Sequence, residues 1–530
     1  MPEYLSPGVY VEEISTGPVP IEGVSTSTAA MLGATERGPL YPKLITSFLQ
    51  FQRWYGSYID QSFLAYAMQG FFDNGGQRCY VARIVGAGAG LTTGSVDNMN
   101  VFAIGHGAWG NRVMIKVDVA TRSTPLRPMF RVYVLYYRTP PPNFPGSIID
   151  PTSTLPADLV STDRRNPDVL EVYDNLTEEP GASNNIITVI NSSSRLVRVE
   201  WSGAGPGPLA PTGNFVQVGS TGSDGAPINA GDFNGNDDSI FTGTTTADLL
   251  GRGRGLAAVA NIDEVSLLMA PDEVRSNMSP VTDAVLDQCE ALKDRFAICS
   301  VVQGRSDIDN PTPLNPPRDT SYGAFYYPWV WVYDPSINDQ RLIPPTGIVA
   351  GIYARTDVTR GVHKAPANEV GRGVRDLEFP VPKGTQDVLN PRGVNCFRDF
   401  RPDGRGIRLW GARTMSSNGE WKYVNVRRLF LFVEESIDEG TQWVVFEPND
   451  SALWARVVRS ISNFLLSVWR SGALMGLTQE EAFFVKCDRT TMTQDDIDNG
   501  RLICYIGIAP VKPAEFVIFR ISQKTIEAQQ

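Results

Sequence analysis

Two histidines serve the whole 530-residue chain, His106 and His363. His363 stands in ARTDVTRGVHKAPANE, close in sequence to Asp357, Arg360 and Lys364. An imidazole beside a carboxylate and two cations could perform acid–base chemistry. The same set more often ties down a loop through hydrogen bonds, and the loop reading is preferred. VGAGAGL (85–91) follows a strand-like run, but its glycines at 86, 88 and 90 break the GxGxxG spacing. The TTGSVDN that follows offers no helix N-terminus to a phosphate. GRGRG (251–255) lacks the Lys-Ser/Thr of a P-loop. Both read as connections between domains. DFNGNDDS (232–239) has the composition of a calcium loop without its central Gly or its bidentate Glu. No HExxH or GxSxG occurs, and cysteines 79, 289, 299, 396, 487 and 504 lack metal spacing. The expectation is a protein with no catalytic site, no metal and no cofactor, its thiols reduced as in a cytoplasm.

The charges in VRRLFLFVEESIDEG (426–440) remain. If the stretch is helical, Arg427 and Arg428 sit near its start and Glu434, Glu435, Asp438 and Glu439 near its end. That order opposes the helix dipole, which favours acids first and bases last. A carboxylate pair for hydrolysis would want a histidine or metal companion that the stretch lacks. The alternatives are a solvated helix that tolerates the cost, or a neighbouring chain that supplies the opposite charges. A second helix, 451–471, has Trp454, Val457, Val458, Ile461, Phe464, Leu465 and Val468 on one face. Arg456, Arg459 and Arg470 lie on the other with no acid among them.

The elements that carry these residues follow from periodicity. VSTSTAAMLG (24–33) reads as a buried strand, and 60–74 as a helix with Leu64, Ala67, Met68, Phe71 and Phe72 in one stripe. RCYVARIV (78–85) is a strand. From 97 to 250 the chain changes to MIKVDVA, FRVYVLYY, IITVI and LVRVEW, all strand-like, between loops rich in Pro, Gly, Ser and Asn. This predicts an all-β insertion. VSLLMA (265–270), a helix through Val281, Val285, Cys289, Leu292 and Phe296, and ICSVV (298–302) predict a parallel β–α–β unit. The fold class expected is α/β and α+β, multidomain. Its parts are an arm at 1–23, core segments at 24–96 and 251–350, the insertion at 97–250, a further domain at 351–510 and a terminal strand at 511–530.

Charge and length narrow the class. The net charge is −11, from 47 Lys+Arg against 58 Asp+Glu, which argues against a general nucleic-acid binder. Residues 351–530 hold 24 basic and 22 acidic residues, so the acid excess lies in the first 350. No run of about 18 apolar residues exists and the N-terminus has no basic-then-apolar leader. Neither membrane insertion nor a signal peptide is expected. PGVYVEEI (7–14) alternates like a strand, and a Gly/Pro-rich tether to residue 23 follows it. PAEFVIFRIS (513–522) has the same strand pattern at the other end. Neither has an obvious partner nearby in sequence.

Dense stretches resemble one family, the contractile tail sheath proteins of phages, R-type tailocins and extracellular contractile injection systems. They are IPPTGIVAGIYARTDVTRGVHKAPANE (343–369), LNPRGVNCFRDF (389–400), LWGARTMSS (409–417), YVNVRRLFLFVEESIDEGTQWVVFEPND (423–450), EEAFFVKCD (480–488) and PAEFVIFRISQ (513–523). PGVYVEEI, STSTAAMLG, GFFDNGGQRCYVARI and YYPWVWVYDP look like the family's earlier parts. The resemblance implies a discontinuous sheath core with the insertion outermost. It also implies stacked hexameric rings of this chain around an inner tube protein, on a baseplate and under a terminator or cap. Contraction would drive the tube through a target envelope. Assembly would occur in a bacterial cytoplasm, and the particle would be a virion tail or a released injection device. The resemblance implies exchange of terminal arms between neighbours, with Val9, Tyr10, Val11 and Glu12 in one strand and Phe516, Val517, Ile518 and Phe519 in the other. On this reading Arg456, Arg459 and Arg470 face the tube, and Arg427, Arg428, Glu434, Glu435, Asp438 and Glu439 meet neighbouring subunits. The alternative is a non-contractile surface-binding or adhesin module built on the insertion.

Overall fold

Five consecutive buried residues, Ala29–Gly33, form strand β1. Lys43–Ile45 is β2 and Cys79–Arg83 is β3. The helix Leu64–Asp73 between them buries Leu64, Ala67, Met68 and Phe71, the stripe its sequence spacing predicts. β1 runs parallel to β3, and β2 closes the sheet antiparallel to β3. The computed structural model describes residues 20–146, 148–203, 209–236, 246, 250, 253–306, 309 and 313–520. The chain divides into two units. One is Ser25–Arg360 with Ala365–Arg427; the other is Met1–Val24, Gly361–Lys364 and Arg428–Gln530.

In the first unit the chain next enters the insertion. Its strands are β4 (Thr93–Val96), β5 (Met99–Ala103), β6 (Val113–Val119), β7 (Phe130–Tyr136), β8 (Val169–Leu176), β9 (Val197–Trp201) and β10 (Val216–Gln217). They make two antiparallel sheets, β4-β5-β9 and β10-β6-β7-β8. Trp109, Val101, Ile115, Val134 and Val199 share their core. One element departs from the sequence reading. IITVI is not a strand but the start of a helix, Ile186–Ser193. The Asn185 side chain accepts from the amides of Ile187 and Thr188, and this N-cap overrides the β-branched preference of the run. The insertion is β-rich rather than all-β.

The return to the core supplies β11 (Leu267–Met269), β12 (Phe296–Ser300), β13 (Gly323–Tyr327), β14 (Val330–Asp334), β15 (Asp339–Ile343), β16 (Glu369–Val370), β17 (Asp376–Leu377), β18 (Val394–Asp399) and β19 (Ile407–Leu409). The central sheet runs β16-β19-β18-β13-β12-β11-β1-β3-β2. The pairs β3–β1, β1–β11, β11–β12, β12–β13 and β13–β18 are all parallel. The helix Ser279–Leu292 makes the crossover from β11 to β12, burying Val281, Val285, Leu286 and Cys289. Because β3 and β11 flank β1 on opposite sides, the order of strands reverses at β1. That is where open parallel sheets leave a crevice beyond their carboxyl ends.

The second unit is built on the helix Ser451–Arg470 and a two-stranded antiparallel sheet, β20 (Phe483–Lys486) with β21 (Tyr505–Ile508). Ile21, Leu429, Val433, Trp454, Val457, Ile461, Phe464 and Leu465 form its core. Of the strand expected at 513–522, residues 513–520 adopt neither helix nor strand, and 521–522 lie outside the described residues. The other expected arm strand, with Val9, Tyr10, Val11 and Glu12, lies outside the described residues.

Candidate assembly surfaces

The helix Ser451–Arg470 begins at Asp450, whose Oδ1 accepts from the Leu453 amide at 2.8 Å. Its apolar face is buried along Leu453, Trp454, Val457, Ile461, Phe464, Leu465 and Val468. The i, i+3, i+4 spacing therefore leaves Arg456, Arg459 and Arg470 exposed along the opposite side. Arg456 is already paired: it reaches Glu447 at 2.8 Å and lies 5.4 Å from the Trp443 ring centre. Arg459 and Arg470 make no ion pair among the described residues.

The helix expected at 426–440 is present as Val424–Thr441. Its two arginines are not surface charges. Arg427 is 6% exposed and Arg428 3%. Arg427 lies flat over Trp421, 3.6 Å from the ring centre, and its Nε donates to Ser321 Oγ at 3.1 Å. A guanidinium stacked on an indole and hydrogen-bonded at its edge is held inside its own chain. That corrects the expectation of interfacial arginines at 427 and 428. At the other end Glu434, Asp438 and Glu439 are exposed and Glu435 is half-buried. Between them Ser436 accepts from the Val24 amide and donates to the Phe432 carbonyl.

The β20–β21 sheet is the element that sequence reasoning missed. Its signal is faint, two four-residue alternations, FFVK and YIGI. Among the described residues each strand has one strand neighbour. Phe484 and Tyr505 remain more than half exposed, as do Met475 and Leu477 in the preceding turn. Phe516, Val517, Ile518 and Phe519 are 70%, 69%, 79% and 84% exposed. Four consecutive large apolar residues in solvent are unusual for a chain that works alone.

The first unit has a crevice of about 1300 Å³ beyond the carboxyl ends of β1, β3, β11 and β12. Glu36, Arg83, Asp272, Glu273, Arg275 and Trp329 are among its lining. Its charges hold the fold. Asp272 accepts from the Ser62 hydroxyl at 2.6 Å and the Phe63 amide at 2.7 Å, and burial pushes its carboxyl up. Glu273 accepts from the Ser300 amide at 2.9 Å, and burial pushes it up to about 7. Arg83 donates to the carbonyls of Gly38 and His106, and burial lowers it to about 10. Burial likewise holds His106 down to about 4. Asp357, read with His363 as a possible acid–base pair, accepts the Thr26 hydroxyl at 2.8 Å. VGAGAGL forms no phosphate loop. A Cβ on Gly86 would stand 1.7 Å from the Ala226 carbonyl oxygen, so close backbone packing requires the glycine. Among the described residues no group of three or more metal-ligating side chains occurs, and no helix is long and apolar enough to cross a membrane.

An α/β core interrupted by a β-rich insertion and joined to a helical C-terminal unit is the fold of sheath subunits. The contracted helical sheath of the anti-feeding prophage matches 98% of this chain and 100% of its own, with a TM-score of 0.58 at 22% identity. The contracted sheath of the extracellular contractile injection system PVC matches 100% of both chains, with a TM-score of 0.58 at 21% identity. The phage tail sheath central-domain model matches residues 243–415 and the phage tail sheath C-terminal-domain model residues 416–524. The two models together span residues 243–524, and the chain belongs to the phage tail sheath family. A putative prophage major tail sheath protein of Pseudomonas aeruginosa is 26% identical over 245 residues, 45% of this chain and 61% of that protein. The tail sheath protein of Burkholderia phage BcepMu is 33% identical over 163 residues, 28% of this chain and 33% of that protein. The match thus spans less than two thirds of either curated relative.

Proposed function

We propose that the chain is the structural subunit of a contractile tail sheath. It polymerises as stacked hexameric rings around an inner tube, on a baseplate, and contracts to drive the tube through a target envelope. The observation that carries this reading is the pairing of two incomplete elements in one unit. Among the described residues a two-stranded sheet has no third strand beside it, and Phe516, Val517, Ile518 and Phe519 of a strand-patterned segment stand exposed outside any named strand. Strand addition between copies completes both, because main-chain hydrogen bonds give affinity with little demand on sequence. Val9, Tyr10, Val11 and Glu12 are the second donated strand, tethered by the Gly/Pro stretch that lets subunits move without separating. Arg459 and Arg470, with Arg456, face the tube. Glu434, Glu435, Asp438 and Glu439 meet neighbouring subunits. The insertion decorates the outside. Assembly takes place in the bacterial cytoplasm, and the finished particle is a virion tail or a released contractile device.

The test is expression of the full chain, alone and with its cognate tube protein, followed by negative-stain electron microscopy. Hollow ribbed tubes are expected. Deletion of residues 513–530 should leave a folded, dispersed subunit. A full-length chain that stays dispersed even with the tube protein, or a truncate that still forms tubes, would overturn the reading.

A further inference from the structure

We propose that Cys487 and Cys504 form a cross-strand disulfide when the chain meets an oxidising environment, a redox latch on the β20–β21 sheet. Phe483 faces Ile508, Phe484 faces Gly507, Val485 faces Ile506 and Lys486 faces Tyr505. Cys487 and Cys504 are the residues that follow and precede this ladder, and one more step of its register would set them opposite. The Ala509 amide donates to the Ala482 carbonyl at 2.9 Å, which makes 482 and 509 a hydrogen-bonded pair. Hydrogen-bonded and non-hydrogen-bonded pairs alternate along an antiparallel ladder, so one further step of this register would make 487 and 504 a non-hydrogen-bonded pair. Such pairs hold their Cα atoms about 4.5 Å apart with both side chains on one face. A disulfide spans Cα separations of about 4.4–6.8 Å, so the bond forms at the short, strained end of its range. Strained disulfides are the easily reduced, regulatory kind.

The side chains agree with the backbone. Both thiols are free, and each perturbs the titration of the other. Cys487 is buried and Cys504 partly exposed. The other four thiols, Cys79, Cys289, Cys299 and Cys396, are fully buried in the first unit. Exposure and proximity therefore single out one pair. The chemistry is thiol–disulfide exchange with a small-molecule disulfide. Cys504 loses its proton to water, attacks one sulfur and releases the first small thiolate, leaving a mixed disulfide. Cys487 then loses its proton, attacks the Cys504 sulfur and expels the second thiolate. Two protein thiols are oxidised and one small disulfide is reduced to two thiols. Burial pushes the Cys504 thiol up to about 11, so the exchange is slow at neutral pH and quickens as pH rises. The bond closes residues 488–503, already tied by the Thr491 hydroxyl to the Ile503 carbonyl at 2.8 Å. It pins the sheet that the proposed arm exchange would use. The latch itself rests on the register and not on the sheath reading.

The test uses the purified full-length chain incubated with oxidised glutathione at pH 8. Free thiols counted in denaturant should fall from six to four. Non-reducing peptide mapping should give one cross-linked peptide joining Cys487 to Cys504, lighter by two hydrogens, and dithiothreitol should restore both thiols. Trypsin cleavage at Arg489 and Arg501, both inside the closed segment, should slow about tenfold. Cys504→Ser and Cys487→Ala should each keep all their thiols and their original cleavage rate. Six thiols after oxidation, a different cysteine pair, or unchanged cleavage with the bond formed would overturn the latch. None of these readouts requires polymerisation, so failure here leaves the sheath reading untouched, and dispersed particles leave the latch testable.

Discussion

Glu273 offers the sharpest test of the packing in the α/β unit. The residue is 3% exposed, and one oxygen accepts the Ser300 amide at 2.9 Å while Oε2 has no hydrogen-bond partner among the described residues. Burial raises its pKa from the ordinary 4.5 to about 7, against smaller lowering effects from Ser300, Thr282 and Cys299. The folded state therefore holds a proton that the unfolded state has already released between these pH values. Where the native state binds more protons, stability falls as pH rises. The loss begins near pH 4.5, is complete a little above 7 and stays constant beyond. At about 1.4 kcal/mol per unit of pKa, it amounts to about 3 kcal/mol. Glu273→Gln keeps the shape and the acceptor for Ser300 but cannot ionise. The assay is denaturant unfolding of the dispersed chain, wild type and variant, from pH 4.5 to 8.5. Subtracting one curve from the other removes every titration the two share. The variant should gain on the wild type with rising pH, by about 3 kcal/mol at pH 8. A difference that does not change with pH would refute the argument, because it would mean that the buried carboxyl is solvated or paired when ionised.

Asp450→Ala removes the N-cap of the 20-residue helix Ser451–Arg470. It should cost about 1 kcal/mol, read as a lower denaturant midpoint with unchanged slope. Arg459→Glu with Arg470→Glu should leave subunit stability within about 0.5 kcal/mol, since both side chains are exposed. On the proposed function it should also abolish ordered assembly on the tube while permitting tube-free polymers. Extended particles of normal appearance from the double variant would remove Arg459 and Arg470 from the tube interface.

What was legible in the sequence was local. The helices Leu64–Asp73 and Ser451–Arg470 declare themselves because their apolar residues recur every three or four positions and a capping residue or glycine punctuates them. The parallel β11–β12 pair follows from strand, helix and strand in succession. IITVI misled because composition favours a strand, whereas Asn185 acts on two backbone amides that no hydrophobic pattern reports. Arg427 misled for the opposite reason. Its stacking partner Trp421 is six residues away, outside the stretch read as a charged helix, and Ser321 is 106 residues away. The crevice was illegible throughout, since it gathers residues 34–36, 83–86, 272–279 and 302–303 at a topological switch point. β20 and β21 are too short to stand out from their surroundings, and their pairing across the intervening residues is long-range.

The C-terminal segment poses the question that a single chain cannot answer from its own contacts. Fully burying an apolar side chain of this size contributes about 1.5–3 kcal/mol. Phe516, Val517, Ile518 and Phe519 together thus forgo roughly 6–12 kcal/mol by standing in solvent. Against that stands the cost of fixing an extended backbone, about 1–2 kcal/mol per residue. Over eight residues, 513–520, the ordering cost is about 8–16 kcal/mol. The two sums nearly cancel, so burial of these side chains alone would not hold the segment in place. A ladder changes the balance, because each main-chain hydrogen bond adds about 0.5–1.5 kcal/mol net. The alternation of the segment matches what a sheet edge requires, and among the described residues β20–β21 is a sheet with no third strand beside it. On the proposed strand exchange, a contact this close to balance would be weak at one subunit and strong where each copy both donates and receives a strand. The proposed function would ask this behaviour of a link that forms during assembly and survives a large rearrangement.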